Sequence, residues 1–101
     1  MALRDGVPYV FPVEVPPGLG LGVQLKKRRR EPAGYQITEI PTAGDHFVLG
    51  WNARSAQTFP DDVLRVGDII IQANAATTHT EIMDVLTHPE ERWLLVIARP
   101  R

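Results

Sequence analysis

Residues 16–25 read PPGLGLGVQL: two prolines, then Gly18, Gly20 and Gly22 alternating with leucines, then an alternating apolar run. This short loop narrows the possible folds sharply. Alternating glycines let backbone N–H groups come close to another group. A glycine-rich turn that opens a helix belongs to dinucleotide-binding units, but the spacing here is G-x-G-x-G, not G-x-G-x-x-G. The following stretch, VQLKKRRREPAG, reaches Pro32 and Gly34 too soon for a crossover helix. At 101 residues the chain is also too short for two βαβ halves. No G-K-[ST] follows, so there is no P-loop. The loop leads into a strand, and the fold is expected to be antiparallel.

The rest of the chain reads accordingly. Tyr9–Val15 (YVFPVEV) is β-rich, and Pro12 confines it to an edge or bent strand. Gly22–Lys26 reads as a strand with Val23 and Leu25 on one face, and KKRRREPAG as a loop. Tyr35–Ile40 alternates as a strand should. Residues 41–60 read as irregular; Phe47–Trp51 is apolar enough for a short strand or packed lid, and 57–63 suits one helical turn. Asp68–Asn74 and Trp93–Arg99 are strands rich in apolar residues. Thr78-His79-Thr80-Glu81 is a capping box, in which Thr78 accepts from the Glu81 N–H while Glu81 reaches back. Ile82, Val85 and Leu86 recur at helical spacing, and Pro89 ends the helix near Thr87. The fold class is therefore mostly β with one main helix, an α+β chain without internal repeats.

Composition sets the outer bounds. One domain is expected over 1–101, with a net charge of −1 that gives no general attraction for nucleic acid. The absence of cysteine excludes disulfides, thiol nucleophiles and thiolate metal sites, and fits a reducing, cytoplasmic setting. The longest apolar run, Trp93–Ala98, is too short to span a bilayer, and MALRDGVPYV lacks the apolar stretch of a secretory signal. Ser55 is the only serine and lacks a nucleophile-elbow context, and His46, His79 and His88 lack metal-ligand spacing. No enzymatic activity, cofactor or metal is expected.

A strand after the glycine loop suggests a different chemistry. Successive N–H groups of such a loop can converge on an anion. If the next strand has an open edge, a peptide can pair along it and place its C-terminal carboxylate in the loop. His79, Met83 and Leu86, at i, i+4 and i+7, form one helix stripe that could wall such a groove; Ile82 and Val85 face away and suit the core.

Taken together, these segments resemble a PDZ domain. Gly20-Leu21-Gly22-Val23 is similar to the carboxylate-binding loop of that family, and Gln24-Leu25 to the ligand-pairing strand. Leu64-Arg65-Val66-Gly67-Asp68-Ile69-Ile70 resembles its leucine-x-x-glycine-aspartate-x-isoleucine segment, His79–Leu86 its second helix, and WLLVIAR its last strand. The resemblance covers about 13–99 and implies a partly open antiparallel β-sandwich or barrel of 5–6 strands, capped by a short and a longer helix. It implies a module that binds the C-terminal tail of another protein. N–H groups of Leu21, Gly22 and Val23 would hold the carboxylate. Gly20, Gln24, Leu25, His79, Met83 and Leu86 would complete the groove, with His79 accepting a hydroxyl from a Ser/Thr-x-hydrophobic terminus.

The chain departs from the family pattern in four places. Ala75 follows Asn74 where glycine is usual, the 74–79 connection is short, 41–56 looks like an insertion before a short first helix, and no Arg or Lys directly precedes the glycine loop. Two other readings stay open. One is a regulatory or dimerisation domain whose groove is occupied by its own 41–56 segment. The other is docking of Lys26, Lys27, Arg28, Arg29 and Arg30, five of the eleven basic residues, on an anionic membrane, which would make the protein membrane-peripheral. The same run could instead contact an acidic upstream stretch of the peptide.

Overall fold

Alternation of inward and outward side chains builds most of the sheet. The computed structural model describes residues 9–18, 20–42 and 46–100. Strand β1 (Tyr9–Val15) buries Phe11, Val13 and Val15 and turns Val10, Pro12 and Glu14 outward. Strand β5 (Trp93–Arg99) buries Trp93, Leu95 and Ile97 in step with it. Between them in sequence lie β2 (Gln24–Arg28), β3 (Gly34–Glu39), helix α1 (Phe47–Thr58), a 3-10 turn (Pro60–Asp62), β4 (Ile69–Ala73) and helix α2 (His79–Leu86). The five strands form one open sheet in the order β1-β5-β4-β3-β2, each pair antiparallel. The molecule is thus α+β.

This topology explains local composition. Pro12 is tolerated because β1 is an edge strand, with β5 as its one neighbour among the described residues. β4 lies inside the sheet, so Ile69, Ile70 and Ala73 are all buried, with a register shift between Ile70 and Gln72. Asn74, just past β4, takes the left-handed conformation (φ +53°) usually left to glycine, and asparagine is among the few residues that adopt it readily.

Helix α2 follows its sequence signals. Thr78 Oγ1 accepts from the Glu81 N–H (3.2 Å) and donates to the Glu81 carboxylate (3.0 Å), closing the capping box hydroxyl-to-carboxylate. Such a cap typically stabilises a short helix by about 1 kcal/mol. Ile82 is fully buried where α2 packs on β3 and β4.

The structure corrects four sequence expectations. Phe47–Trp51 is neither strand nor lid but the first half of α1, and most of the presumed 41–56 insertion is this helix. With twelve residues α1 is longer than the eight-residue α2, so there are two helices rather than one main one, and the first is the longer. The strands make a single five-stranded sheet rather than a sandwich or barrel. Finally, β2 starts two residues later than Gly22 and runs to Arg28, so three of the five consecutive basic residues are strand. Helix α1 is fixed by burial of Phe47 and Val48 in the core and by hydrogen bonds to the segment after it. The Trp51 indole N–H donates to the Asp62 carbonyl (2.8 Å), and the Asn52 amide both donates to and accepts from the Leu64 backbone (2.9 and 2.8 Å).

Candidate functional site

The open edge of β2 is the starting point. Among the described residues β2 pairs with β3 alone, so its other side presents backbone groups that no strand takes up. Directly before it stands the glycine loop, with Gly18, Gly20 and Gly22 at φ +93°, +66° and +77°. Each lies in the region that L side chains rarely adopt, which accounts for glycine at alternate positions. Leu21, between two of them, turns into the core and is 8% exposed.

Two tether points set α2 beside β2. At one end Gly18 N–H donates to the Pro89 carbonyl (2.6 Å), tying the loop to the chain just after α2. At the other end His79 Nε2 lies 2.6 Å from the Arg28 carbonyl oxygen, joining the start of α2 to the end of β2. Helix and strand therefore run antiparallel. The strand edge from Val23 to Arg28 is about 16 Å long, room for four or five residues of an added strand.

Its walls are partly those expected from sequence. Val23, Leu25 and Leu86 are half-buried and pack, with Leu21, on the common core cluster. Met83 stands more open, at 36% exposure, and Gln24 is exposed. Ile82 is buried as expected, while Val85 is half-buried.

His79 is not idle at the mouth. Because a carbonyl oxygen only accepts, Nε2 carries the proton in the contact with Arg28, and in the neutral ring Nδ1 is the remaining acceptor. The Tyr35 ring meets the imidazole edge-on at 5.7 Å, and the Tyr35 hydroxyl donates to the His79 carbonyl (3.2 Å). The hydroxyl-accepting role that the family resemblance gives His79 would therefore fall to Nδ1.

Two participants had no sequence signal. A Cβ on Gly22 would collide with His46 Cβ and lie 2.6 and 2.9 Å from its Cγ and Nδ1, so His46 packs directly on the loop. His46 Nε2 contacts the Pro41 carbonyl (3.2 Å), while the buried Nδ1 has no partner among the described residues. Tyr35, read only as a strand residue, clamps the N-terminus of α2. Both contacts join residues far apart in sequence, which spacing alone does not reveal. Beyond α2, the Asp84 carbonyl 2.7 Å from His88 Nδ1 holds that exposed imidazole above its ordinary value of 6.5.

The basic run divides in two. Arg28 folds back on the turn, donating to the Pro32 and Glu31 carbonyls (3.0 and 3.4 Å). Lys26, Lys27, Arg29 and Arg30 are exposed, and none forms an ion pair among the described residues.

Among the described residues, no group of three or more histidine, aspartate or glutamate side chains is placed to hold a metal ion. No described helix is long and apolar enough to cross a membrane. Ser55 is buried on α1. No family model matches this chain, and no curated protein matches it.

Proposed function

We propose that this chain is a PDZ-like interaction module that binds the free C-terminus of another protein by strand addition along β2. One observation carries the reading: an unpaired strand edge begins immediately after a loop with three left-handed glycines. The peptide's carboxylate accepts from the Leu21, Gly22 and Val23 N–H groups. Its last side chain enters the apolar space between Leu21, Val23, Leu25, Met83 and Leu86, and its backbone pairs with β2. A partner of this kind calls for no cofactor and no catalysis.

Charge-assisted hydrogen bonds are worth about 1.5–3 kcal/mol each. Amidating the C-terminus of a bound peptide removes that charge, and binding is expected to weaken roughly ten- to a hundred-fold. Calorimetric titration with paired acid and amide peptides tests this; equal affinities would overturn the reading.

A second reading, a groove held shut by the chain itself, is favoured by the His79–Arg28 contact at its far end. The two readings give opposite signs for His79→Ala. If the imidazole receives a ligand hydroxyl, peptides ending in Ser/Thr-x-hydrophobic bind more weakly to the variant. If the contact competes with the ligand, they bind more tightly.

A further inference from the structure

Strand addition fixes the direction of the ligand and therefore what it meets next. With its terminus in the glycine loop, the peptide runs antiparallel to β2, toward Arg28. If the last residue lies opposite Val23, the one two before it faces Leu25, the one four before faces Lys27, and the one six before faces Arg29. The upstream part of the ligand thus leaves the groove, past His79, alongside the basic run.

The charges there are concentrated and uncommitted. The chain as a whole carries a net charge of −1, yet five of its eleven basic residues stand consecutively. Arg92 and Arg99 have carboxylate partners, whereas Lys26, Lys27, Arg29 and Arg30 have none among the described residues. Lys27 to Arg30 spans about 10 Å of chain, close to the Debye length at 0.1 M salt, so these charges act as one field. We infer that Lys26, Lys27, Arg29 and Arg30 form a subsite for an acidic segment of the ligand lying just upstream of its C-terminal residues. This rests on the strand-addition reading and deepens it by naming the partner as an acidic-tailed C-terminus.

The placement favours a peptide over a lipid surface. Membrane-docking patches combine cations on one face with apolar side chains that insert beside them. Here Lys26 and Lys27 point to opposite faces of β2. Of the exposed large apolar residues, Val10 and Leu94 stand on β1 and β5, toward the other edge of the sheet, Phe59 and Val66 lie between α1 and β4, and Met83 lines the groove itself. An extended peptide beside the strand can approach cations on both faces; a plane cannot.

The test uses three libraries of free-acid peptides, with the last four positions randomised and the preceding four all Glu, all Gln or all Lys. Capture is measured at about 0.05 M and about 0.5 M salt. At low salt the Glu library is expected to bind about tenfold more tightly than the Gln library, with the Lys library weakest. High salt should shrink the gap. The double variant Arg29→Glu, Arg30→Glu, outside β2 and the groove, should erase or invert the preference while leaving the Gln library unaffected. Equal capture of Glu and Gln libraries would overturn this inference and leave the strand-addition reading standing. Capture of none would overturn both. Indifference to the Glu library, together with sedimentation on phosphatidylserine-containing vesicles, would reassign the run to lipid.

Discussion

Gly34→Ala is expected to destabilise the fold by about 3–5 kcal/mol, the sum of a strained backbone and an overfilled site. Gly34 opens β3 opposite Arg28, is buried and sits at φ +156°. A Cβ there would land on the Ile70 carbonyl oxygen, with the carbonyl carbon at 2.9 Å and Ile69 Cγ2 at 3.2 Å. Those atoms belong to the interior strand β4 and cannot step aside as the tip of a flexible side chain could. Relief would require β3 and β4 to separate near the Tyr35–Ile70 pair, in the middle of the sheet. Gly67→Ala is the control. Its φ of +100° is equally unsuited to alanine, but nothing lies within 4 Å of the added methyl. That variant should lose about 1–2 kcal/mol, the cost of left-handed backbone alone. Urea denaturation of both variants measures the difference. A loss at Gly34 no larger than that at Gly67 would show that the sheet yields at this point, contrary to the packing described.

The contrast between these glycines also shows what the sequence could disclose. Gly34 ends the loop read over KKRRREPAG and Gly67 stands in the leucine-x-x-glycine-aspartate segment, and both take positive φ. That only one of them is packed against a neighbouring strand depends on residues about 35 positions away. The same division runs through the molecule. β5 and α2 were legible because their information is local: a short apolar run in one, a capping box and a terminating proline in the other. Helix α1 was not. His46 supplies no side-chain cap, its first turn lacks an acidic residue, and Gly50 sits inside it. A mid-helix glycine costs about 1 kcal/mol. Its hydrogen bonds to Asp62 and Leu64, formed only once the chain has folded, make up what local signals lack. At the candidate site, the glycine loop was visible because few other residues tolerate its geometry. The contacts of His46 with Gly22 and His79 with Arg28 were invisible because each joins segments at least 24 residues apart.

Asp68→Ala is expected to cost about 3–5 kcal/mol, although the residue lies outside the candidate groove. Asp68 is 1% exposed and completely engaged. Its Oδ1 accepts from Arg99 Nε (2.9 Å), and its Oδ2 from Arg99 Nη2 (2.9 Å) and the Arg65 N–H (2.8 Å). The same guanidinium donates to the Asp61 and Val63 carbonyls (2.8 and 2.6 Å) and lies near the Tyr9 and Phe11 rings. The aspartate thus fastens the turn before β4 to the end of β5 and, through Arg99, to the segment after α1. Its carboxylate, by direct hydrogen bonding, raises the Arg99 pKa still further above its ordinary value. Since arginine remains charged across the accessible pH range, removing Asp68 leaves a largely buried cation held by two backbone carbonyls, with the Asp61 carboxylate acting on it without a hydrogen bond. This orphaned charge, rather than the lost attraction, supplies most of the penalty. The double variant Asp68→Leu, Arg99→Met should therefore recover more than half of the loss seen in Asp68→Ala, because it removes the cation along with its partner. Urea midpoints for the wild type, the single variant and the double variant decide the matter. A double variant at least as destabilised as Asp68→Ala would mean that the pair acts through packing and that its charge is immaterial.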